Sequence, residues 1–359
     1  MTLSGEAGHE GNYAYTCARV KARRALLLPP DTYPRLLKMG LSEIGRFIGE
    51  EQYRREVEVL SVGYGGVDLI ERATYLNLAR TYNTIIGFTR GELRELVRRY
   101  LNRWDVWNFK TVLRGRLAGI SWSEVEGDIV PAGVFNKEDF AALFAAADIN
   151  EMISVLKREG REHDFEPLLL RLLGEKGEVP VLADLENALE KSYYERLLRF
   201  VPEKTQANRL FLQFLRVETD IVNLKTLFRL KAEASSPEAA RELLVDGGEE
   251  LDPSKLRKLV AAEGIESLLQ CLVGTKIYES IREPATRIKN SGSLHEVFLA
   301  LDRYLLERAR RFSHTYPLSV IPVMDYLLRK KIEVDNLRTI ARGKQSGLPE
   351  EVIRGLLFT

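Results

Sequence analysis

The sequence has few of the residues that mark metal and redox sites. Its 359 residues include 2 cysteines and 4 histidines. Cys17 and Cys271 lie too far apart for a CxxC metal or redox pattern, and two such thiols suit a reducing cytoplasm. The histidines form neither HExxH nor HxxxH, so nothing supports a zinc site on a helix. The sequence therefore predicts neither a metal nor a redox centre.

Long apolar runs and phosphate-binding loops are also missing. No uninterrupted apolar run reaches the ~18–20 residues that cross a bilayer, and the N-terminus lacks the basic and apolar regions of a secretory signal. The nearest approach to a GxxxxGK[ST] loop ends in Gly343-Lys344-Gln345 and has Arg338 where the first glycine belongs. Residues 63–66 resemble a phosphate cradle only superficially, and we interpret them as an exposed turn. We expect no membrane span, nucleotide site or cofactor.

Charge of either sign is not in excess. The chain has 53 Lys+Arg against 52 Asp+Glu, a formal net charge of +1 and 45% apolar residues. With this near-zero net charge, overall electrostatics give no reason to expect binding to nucleic acid or to an anionic membrane surface. The basic runs at 98–99, 308–311 and 329–331 sit beside acids, and we interpret them as ordinary surface. The composition thus indicates a folded chain and points to no particular functional class.

A ten-residue motif that occurs three times is the informative feature. Its pattern is acid-apolar-x-Asn-apolar-basic-Thr-apolar-x-Arg, in DVWNFKTVLR (105–114), DIVNLKTLFR (220–229) and EVDNLRTIAR (333–342). The three asparagines are 115 and 113 residues apart. The acid, asparagine and basic residues of the copies are Asp105, Asn108 and Lys110; Asp220, Asn223 and Lys225; and Glu333, Asn336 and Arg338.

Two further landmarks keep the same register. Ala73, Ala188 and Ala300 precede the motif asparagines by 35, 35 and 36 residues. Apolar residues recur at i, i+3 and i+7 in 41–48, 149–156 and 265–272, which is one face of a helix. Strand signals are scarce. The sequence therefore predicts an all-α protein of three helical-bundle repeats, covering residues 1–127, 128–245 and 246–359.

Helix breaks fall at matching places in each repeat. One set precedes the landmark alanines, at 61–67, 174–180 and 289–293, and a second follows them, at 87–91, 201–205 and 313–317. The intervening helix of about 17–20 residues is roughly 25–30 Å long, so we expect the two sets at opposite ends of the molecule. Residues in these breaks are candidates for partner contact: Tyr64, Gly65, Gly66, Gly177, Gly292, Phe88, Thr89, Glu203, Lys204, Thr315 and Tyr316.

The motif itself has two interpretations. On a helix, Val106, Phe109 and Val112 form one apolar stripe, with Asp105 at its edge and Asn108 on its flank. We expect each acid and asparagine to bridge to a neighbouring helix of its own repeat, because buried polar groups need partners. The alternative is three equivalent binding spots. The basic positions are expected to face solvent, and Trp104 and Trp107 to pack between helices rather than stack on bases.

Net charge differs among the three predicted repeats. It is +4 in residues 1–127, −5 in 128–245 and +2 in 246–359. Three similar shapes with unequal charge suit a partner that is not itself threefold.

The sequence resembles the C subunit of archaeal and bacterial A/V-type ATP synthases, which corresponds to the d subunit of the vacuolar ATPase. The similarity rests on the opening segment NYAYTCARVKAR (12–23), on the three motif helices and on the repeat length of 110–115 residues. Glu333 in place of Asp, Arg338 in place of Lys and Phe109 in place of Leu depart from the family pattern. The resemblance covers essentially the whole chain.

The resemblance implies a funnel-shaped, pseudo-threefold helical protein with a central cavity. Such a protein is a non-catalytic socket on the cytoplasmic face of the membrane-embedded proteolipid ring. It receives the central shaft, formed by the D and F subunits, and turns with the rotor, so that it links ion translocation to ATP synthesis or hydrolysis. The family implies no catalytic residue, metal, nucleotide or nucleic-acid partner.

Two other classes of protein fit the residues less well. A helical scaffold of another complex would share the repeats without the ring. A helical enzyme would need a pocket of convergent acids or histidines, for which His163 and Asp164 are the best available candidates. Co-purification with rotary ATPase subunits discriminates among these classes.

Overall fold

The computed structural model describes residues 11–158, 182–233 and 236–358, and within those ranges the chain is helical and has no strand. The contacts divide the chain into two compact units. The first unit joins Met1–Leu189 to Tyr326–Thr359, and the second is Glu190–Asp325. The all-α prediction is confirmed.

The first unit contains the helices from both ends of the chain. They are α1 (Tyr13–Arg24), α2 (Thr32–Lys38), α3 (Leu41–Glu50), α4 (Arg54–Leu60), α5 (Gly66–Phe88), α6 (Gly91–Leu101), α7 (Arg103–Leu117), α8 (Trp122–Val125) with a 3-10 turn at Glu126–Asp128, α9 (Lys137–Ala145), α10 (Ile149–Arg158), the start of α11 (Leu182–Phe200), most of α18 (Ile321–Gln345) and α19 (Glu350–Leu356).

The second unit contains the helices between them. They are the rest of α11, then α12 (Gln206–Ala232), α13 (Pro237–Leu243), α14 (Pro253–Ala261), α15 (Ile265–Leu272), α16 (Lys276–Ser291), α17 (His295–Thr315) and the start of α18. Within this unit α17 packs against both α16 and α12, and α12 also contacts α15.

The best-defined core of the first unit joins the two ends of the chain. Ile44 and Ile48 on α3 are fully buried, as the i, i+3, i+7 stripe predicts. They lie in one cluster with Leu337 and Ile340 of α18 and with Ile353 of α19. Fully burying each such side chain contributes about 1.5–3 kcal/mol. The hydrophobic effect therefore holds the C-terminal helices onto residues 33–70.

Side-chain caps define where several helices begin. Asn136, Thr205, Asp252 and Thr275 each accept a hydrogen bond from the backbone N–H three residues later. Such caps satisfy one of the free amide groups at a helix start, which contributes about 1 kcal/mol each. At its other end α16 stops at Gly292, whose φ of 66° is the left-handed conformation that glycine adopts most readily.

The three landmark alanines lie in long helices, as predicted. Ala73 is in α5, Ala188 in α11 and Ala300 in α17, which have 23, 19 and 21 residues. The breaks at 61–67, 87–91 and 201–205 coincide with the ends of these helices. The last break lies at 316–320 rather than 313–317, because α17 continues to Thr315 and buries Ser313. The break at 174–180 lies outside the described residues.

Candidate functional site

The three motif asparagines make the same pair of hydrogen bonds. The amide of Asn108 donates to the carbonyl of Val130 and accepts from its N–H, both at 2.8 Å. Asn223 forms this pair with Val245 at 2.8 and 2.9 Å, and Asn336 forms it with Phe358 at the same distances. In each case the bound residue lies 22 positions after the asparagine. The amide thus pairs with the backbone as another peptide group would.

The first two motif acids bind the same segments a few residues further along. Asp105 accepts from the N–H groups of Val134 at 2.7 Å and Phe135 at 3.2 Å. Asp220 accepts from the N–H groups of residues 249–251 at 2.7–3.2 Å. We call residues 130–135 the first strap and residues 245–251 the second strap. Each strap is tied to its motif helix by one amide and one carboxylate.

Two glycines allow the straps to approach these carboxylates. A Cβ on Gly133 would lie 2.2 Å from both Asp105 carboxylate oxygens, and one on Gly248 would lie 1.8 Å from Asp220 Oδ1. Both distances are far below van der Waals contact, so only glycine fits. The two glycines are 115 residues apart, the same spacing as the first two asparagines, and that spacing could have identified them in the sequence.

The third motif acid is bound by the N-terminal part of the chain. Glu333 accepts from the Leu28 N–H at 2.6 Å, from Gln52 Nε2 at 2.9 Å and from the Tyr53 hydroxyl at 2.5 Å. The Lys330 ammonium completes the set at 2.7 Å.

The acids and asparagines do satisfy buried polar groups, but the predicted partner, a neighbouring helix of the same repeat, is wrong for the acids. Asp105 and Asp220 bind backbone groups of connecting segments in the next predicted repeat. Glu333 binds residues of the first predicted repeat.

Burial changes the pKa of several groups in these clusters. It raises the pKa of Asp220 to about 7, although N–H groups of Glu250, Leu251 and Glu249 act in the opposite direction. Burial also lowers the pKa of Lys330, which Glu333 partly counteracts. The pKa of Tyr53 rises through burial and through the adjacent Glu333 carboxylate.

The prediction that the basic motif residues face solvent is wrong. Lys110 and Arg338 are each 9% exposed, and Lys225 is half-buried. A carboxylate on a second helix draws each one in: Lys110 lies 4.0 Å from Glu186, Lys225 lies 2.6 Å from Asp302, and Arg338 lies 3.4 Å from Glu71. The sequence pattern of one helix does not show that a neighbouring helix carries an acid opposite its basic residue, so the burial of these residues could not be predicted from the motif.

The interpretation of residues 329–331 as ordinary surface is wrong for Lys330. Its side chain is 0% exposed, and its ammonium contacts Glu333 and the Tyr53 hydroxyl. The i, i+3 spacing to Glu333 was the available signal. Trp104 is buried, as predicted, and its ring lies 6.2 Å from that of Trp107, which is 41% exposed.

The residues proposed for partner contact fall into two classes. Phe88 and Thr89 are buried, and the Phe88 carbonyl accepts from Asn12, so these two belong to the packing of α1 on α5. The others within the described residues are at least partly exposed: Tyr64, Gly65, Gly66, Glu203, Lys204, Gly292, Thr315 and Tyr316. Gly177 lies outside the described residues, as do His163 and Asp164.

A cleft of about 560 Å³ in the first unit is lined by two of the motif helices. Trp107, Thr111 and Arg114 line it from α7, while Thr339 and Arg342 line it from α18. Thr and Arg occupy equivalent motif positions in the two copies. Arg114 is bound by Glu186 through two hydrogen bonds of 2.6 Å, and Arg342 is bound in the same way by Glu71. Both arginines at the wall of the cleft are therefore held in ion pairs within the protein.

The described residues contain no group of three or more His, Cys, Asp or Glu side chains that could hold a metal ion. In the same residues no helix combines the length and apolar character that a membrane span needs.

Comparison with known proteins gives a match over almost the whole sequence. Residues 16–356 match the family described as ATP synthase (C/AC39) subunit. The chain is 40% identical to the C subunit of the A-type ATP synthase of Methanosarcina acetivorans, over 96% of this chain and 92% of the relative. It is 39% identical to that of Methanococcoides burtonii, over 98% and 96%, and 36% identical to that of Archaeoglobus fulgidus, over 96% and 96%.

Proposed function

This chain belongs to the ATP synthase (C/AC39) subunit family, and we propose that it is the central-stalk component that couples the proteolipid ring to the central shaft. It is a component of an ATP synthase and not itself the catalyst. As a socket it would hold the D and F subunits of the shaft on the ring, and so pass torque between ion flow and ATP chemistry. The complex would place it peripherally, on the cytoplasmic side of the membrane.

The observation that carries this proposal is the threefold recurrence of one set of contacts within a chain that matches the family throughout. Each motif asparagine binds the residue 22 positions later. Each motif basic residue is held by an acid near a landmark alanine, and Glu71 of the first predicted repeat holds Arg338 of the third. This pattern supports three related repeats, and the contacts of Asp105 and Asp220 with the straps extend across the predicted boundaries at residues 127 and 245.

Three related helical repeats suit a mechanical coupling part. A ring of identical subunits, three repeats and a two-helix shaft have mismatched symmetries, so their contacts cannot all be equivalent. We propose that the breaks before the landmark alanines face one partner and those after them face the other.

Affinity purification from solubilised membranes tests the role. A tagged chain is expected to recover the proteolipid ring together with the D and F subunits. Recovery of a different complex, without any rotary ATPase subunit, would favour a general helical scaffold instead.

The two sets of breaks can be tested separately. Gly65→Arg places a long charged side chain in open space, since nothing lies within 4 Å of a Cβ there. Glu203→Lys reverses an exposed charge in the other set. Capture of the ring and of the shaft is measured for each variant, and we expect each substitution to weaken a different one. Unchanged capture of both partners by both variants would show that these breaks are not contact surfaces.

A further inference from the structure

The last arginine of the motif has a glutamate partner in two copies. Arg114 binds Glu186, and Arg342 binds Glu71, each through two guanidinium nitrogens. Both glutamates stand two residues before a landmark alanine, Ala188 and Ala73. Two parallel N–H···O bonds fix a carboxylate in the plane of the guanidinium group, which is the strongest arrangement available to this pair.

The second copy lacks this glutamate. Phe298 stands two residues before Ala300, and the register is secure because the preceding residue is buried and apolar in all three copies: Ile70, Leu185 and Val297. Lys225 turns to Asp302 at 2.6 Å, and its ammonium lies 5.8 Å from the centre of the Phe298 ring.

Arg229 is therefore the motif arginine that is left over. It is exposed on α12, and no carboxylate within the described ranges forms an ion pair with it. The half-buried Phe298 offers apolar surface on the neighbouring helix α17. In the two other copies the guanidinium group of this arginine binds a glutamate carboxylate through two of its nitrogens.

We propose that Arg229 is the docking point for an aspartate or glutamate side chain of the central shaft. The bound carboxylate takes the place that Glu186 and Glu71 fill in the other copies. The apolar part of the same partner segment then covers Phe298. This inference rests on the proposed function, because it takes the shaft to be a partner of this chain.

Symmetry favours the shaft over the proteolipid ring as the occupant. A ring of identical subunits carries only copies of one surface, so it offers no single distinctive carboxylate to match a single distinctive arginine. A shaft with one orientation can place one carboxylate at one repeat only.

Binding of the purified D and F subunits to the immobilised full-length chain tests the proposal. We expect Arg229→Ala to weaken binding about tenfold and Arg229→Glu about a hundredfold, because the latter repels the incoming carboxylate. Arg229→Lys keeps the charge but loses the fork, so its effect should be smaller than that of Arg229→Ala. Arg310→Ala, an exposed arginine on α17, is the matched control and should bind as the wild type does.

A second pair of variants supplies the missing glutamate from within the chain. Phe298→Glu should occupy Arg229 as Glu186 occupies Arg114, and so weaken shaft binding about tenfold. Phe298→Gln removes the ring without adding a charge and should bind more tightly than Phe298→Glu. Equal binding by these two variants would overturn the proposal, as would wild-type affinity in Arg229→Glu.

The two proposals fail differently in this experiment. If the wild type binds the shaft and the Arg229 variants bind equally well, the docking point is wrong and the coupling role stands. If the wild type binds neither D nor F, the coupling role fails and the docking point fails with it.

Discussion

At the scale of single residues, the motif separates two hydrogen-bonding tasks. An asparagine amide carries both a donor and an acceptor, so it can pair with the N–H and the carbonyl of one residue, as Asn223 does with Val245. A carboxylate only accepts, which suits the three consecutive N–H groups that Asp220 binds. The two residue types are therefore not interchangeable in this motif.

The raised pKa of Asp220 predicts a pH dependence of stability. Its pKa is about 7 in the folded protein and about 4 in an unfolded chain, so the folded state binds the proton more tightly between these values. The contribution of this group to stability is fully present below pH ~4 and is lost as the pH rises through 7, by up to about 1.4 kcal/mol per pH unit.

Urea unfolding at pH 5 and pH 7 measures this dependence. Between these values the free energy of unfolding of the wild type should fall by about 1–3 kcal/mol more than that of Asp220→Asn, which carries no titrating group. Asp246→Asn, an exposed carboxylate in the second strap, is the control and should follow the wild type. The same pH dependence in Asp220→Asn would contradict the assignment.

The buried pair of Lys330 and Glu333 predicts a non-additive effect of mutation. Glu333→Gln removes the charge that neutralises a fully buried ammonium, so we expect a loss of about 3–5 kcal/mol in the free energy of unfolding. In the double variant Lys330→Met/Glu333→Gln no buried charge remains. The double variant should therefore be more stable than Glu333→Gln alone.

Chemical denaturation of the single and double variants measures the coupling between these residues. Lys331→Met is the control, because Lys331 is 45% exposed and pairs with Asp335 at the surface, where such pairs contribute about 0–1 kcal/mol. A double variant less stable than Glu333→Gln would show that the charge balance is not what holds this cluster.

At the scale of elements, the straps depend on glycine at one position. Gly248→Ala places a Cβ 1.8 Å from Asp220 Oδ1, so the carboxylate must give up its hydrogen bonds or the strap must move. We expect a loss of about 2–4 kcal/mol in stability, as for other disrupted buried polar networks. Gly133→Ala should have a similar effect on the first strap.

Gly87→Ala is the matched control for these two glycines. Gly87 lies inside α5 with nothing within 4 Å of a Cβ, so alanine should leave stability unchanged or raise it by up to about 1 kcal/mol. Thermal melts of the three variants provide the comparison. If Gly248→Ala were as stable as Gly87→Ala, close approach would not be the reason for glycine in the strap.

Most helices could be predicted from the sequence, but the environment of their polar faces could not. Periodicity located the stripe of Ile44 and Ile48 on α3, because one buried face leaves a regular pattern. It gave no warning that Lys330 is buried, because α18 also packs its polar side against other helices. The ion pair of Arg338 with Glu71 joins residues 267 positions apart in the sequence, and nothing local to either residue indicates it.

At the scale of the whole molecule, the repeats in the sequence and the units of contact do not coincide. The sequence predicts three consecutive repeats, whereas contacts divide the chain into Met1–Leu189 with Tyr326–Thr359, and Glu190–Asp325. The third motif illustrates the difference. It lies in the last predicted repeat, yet Glu333 binds Leu28 and Tyr53, and Leu337 shares a core with Ile44.

Hydrogen exchange can show which division governs local stability. Asn336→Ala removes the partner of both Phe358 backbone groups and loosens α18 against the core of the first unit. If contacts set the cooperative unit, this variant should speed amide exchange in residues 33–70 about tenfold or more and leave residues 246–320 unchanged. If the consecutive repeat is the unit, the opposite distribution is expected.

Asn223→Ala is the internal comparison, since Asn223 and its partner Val245 both lie in the second unit. That variant should speed exchange within residues 206–320 and spare residues 33–70. Faster exchange in residues 33–70 of Asn336→Ala, but not of Asn223→Ala, would mean that the two ends of the chain stabilise each other. In this way the first and last of three consecutive repeats can share one core.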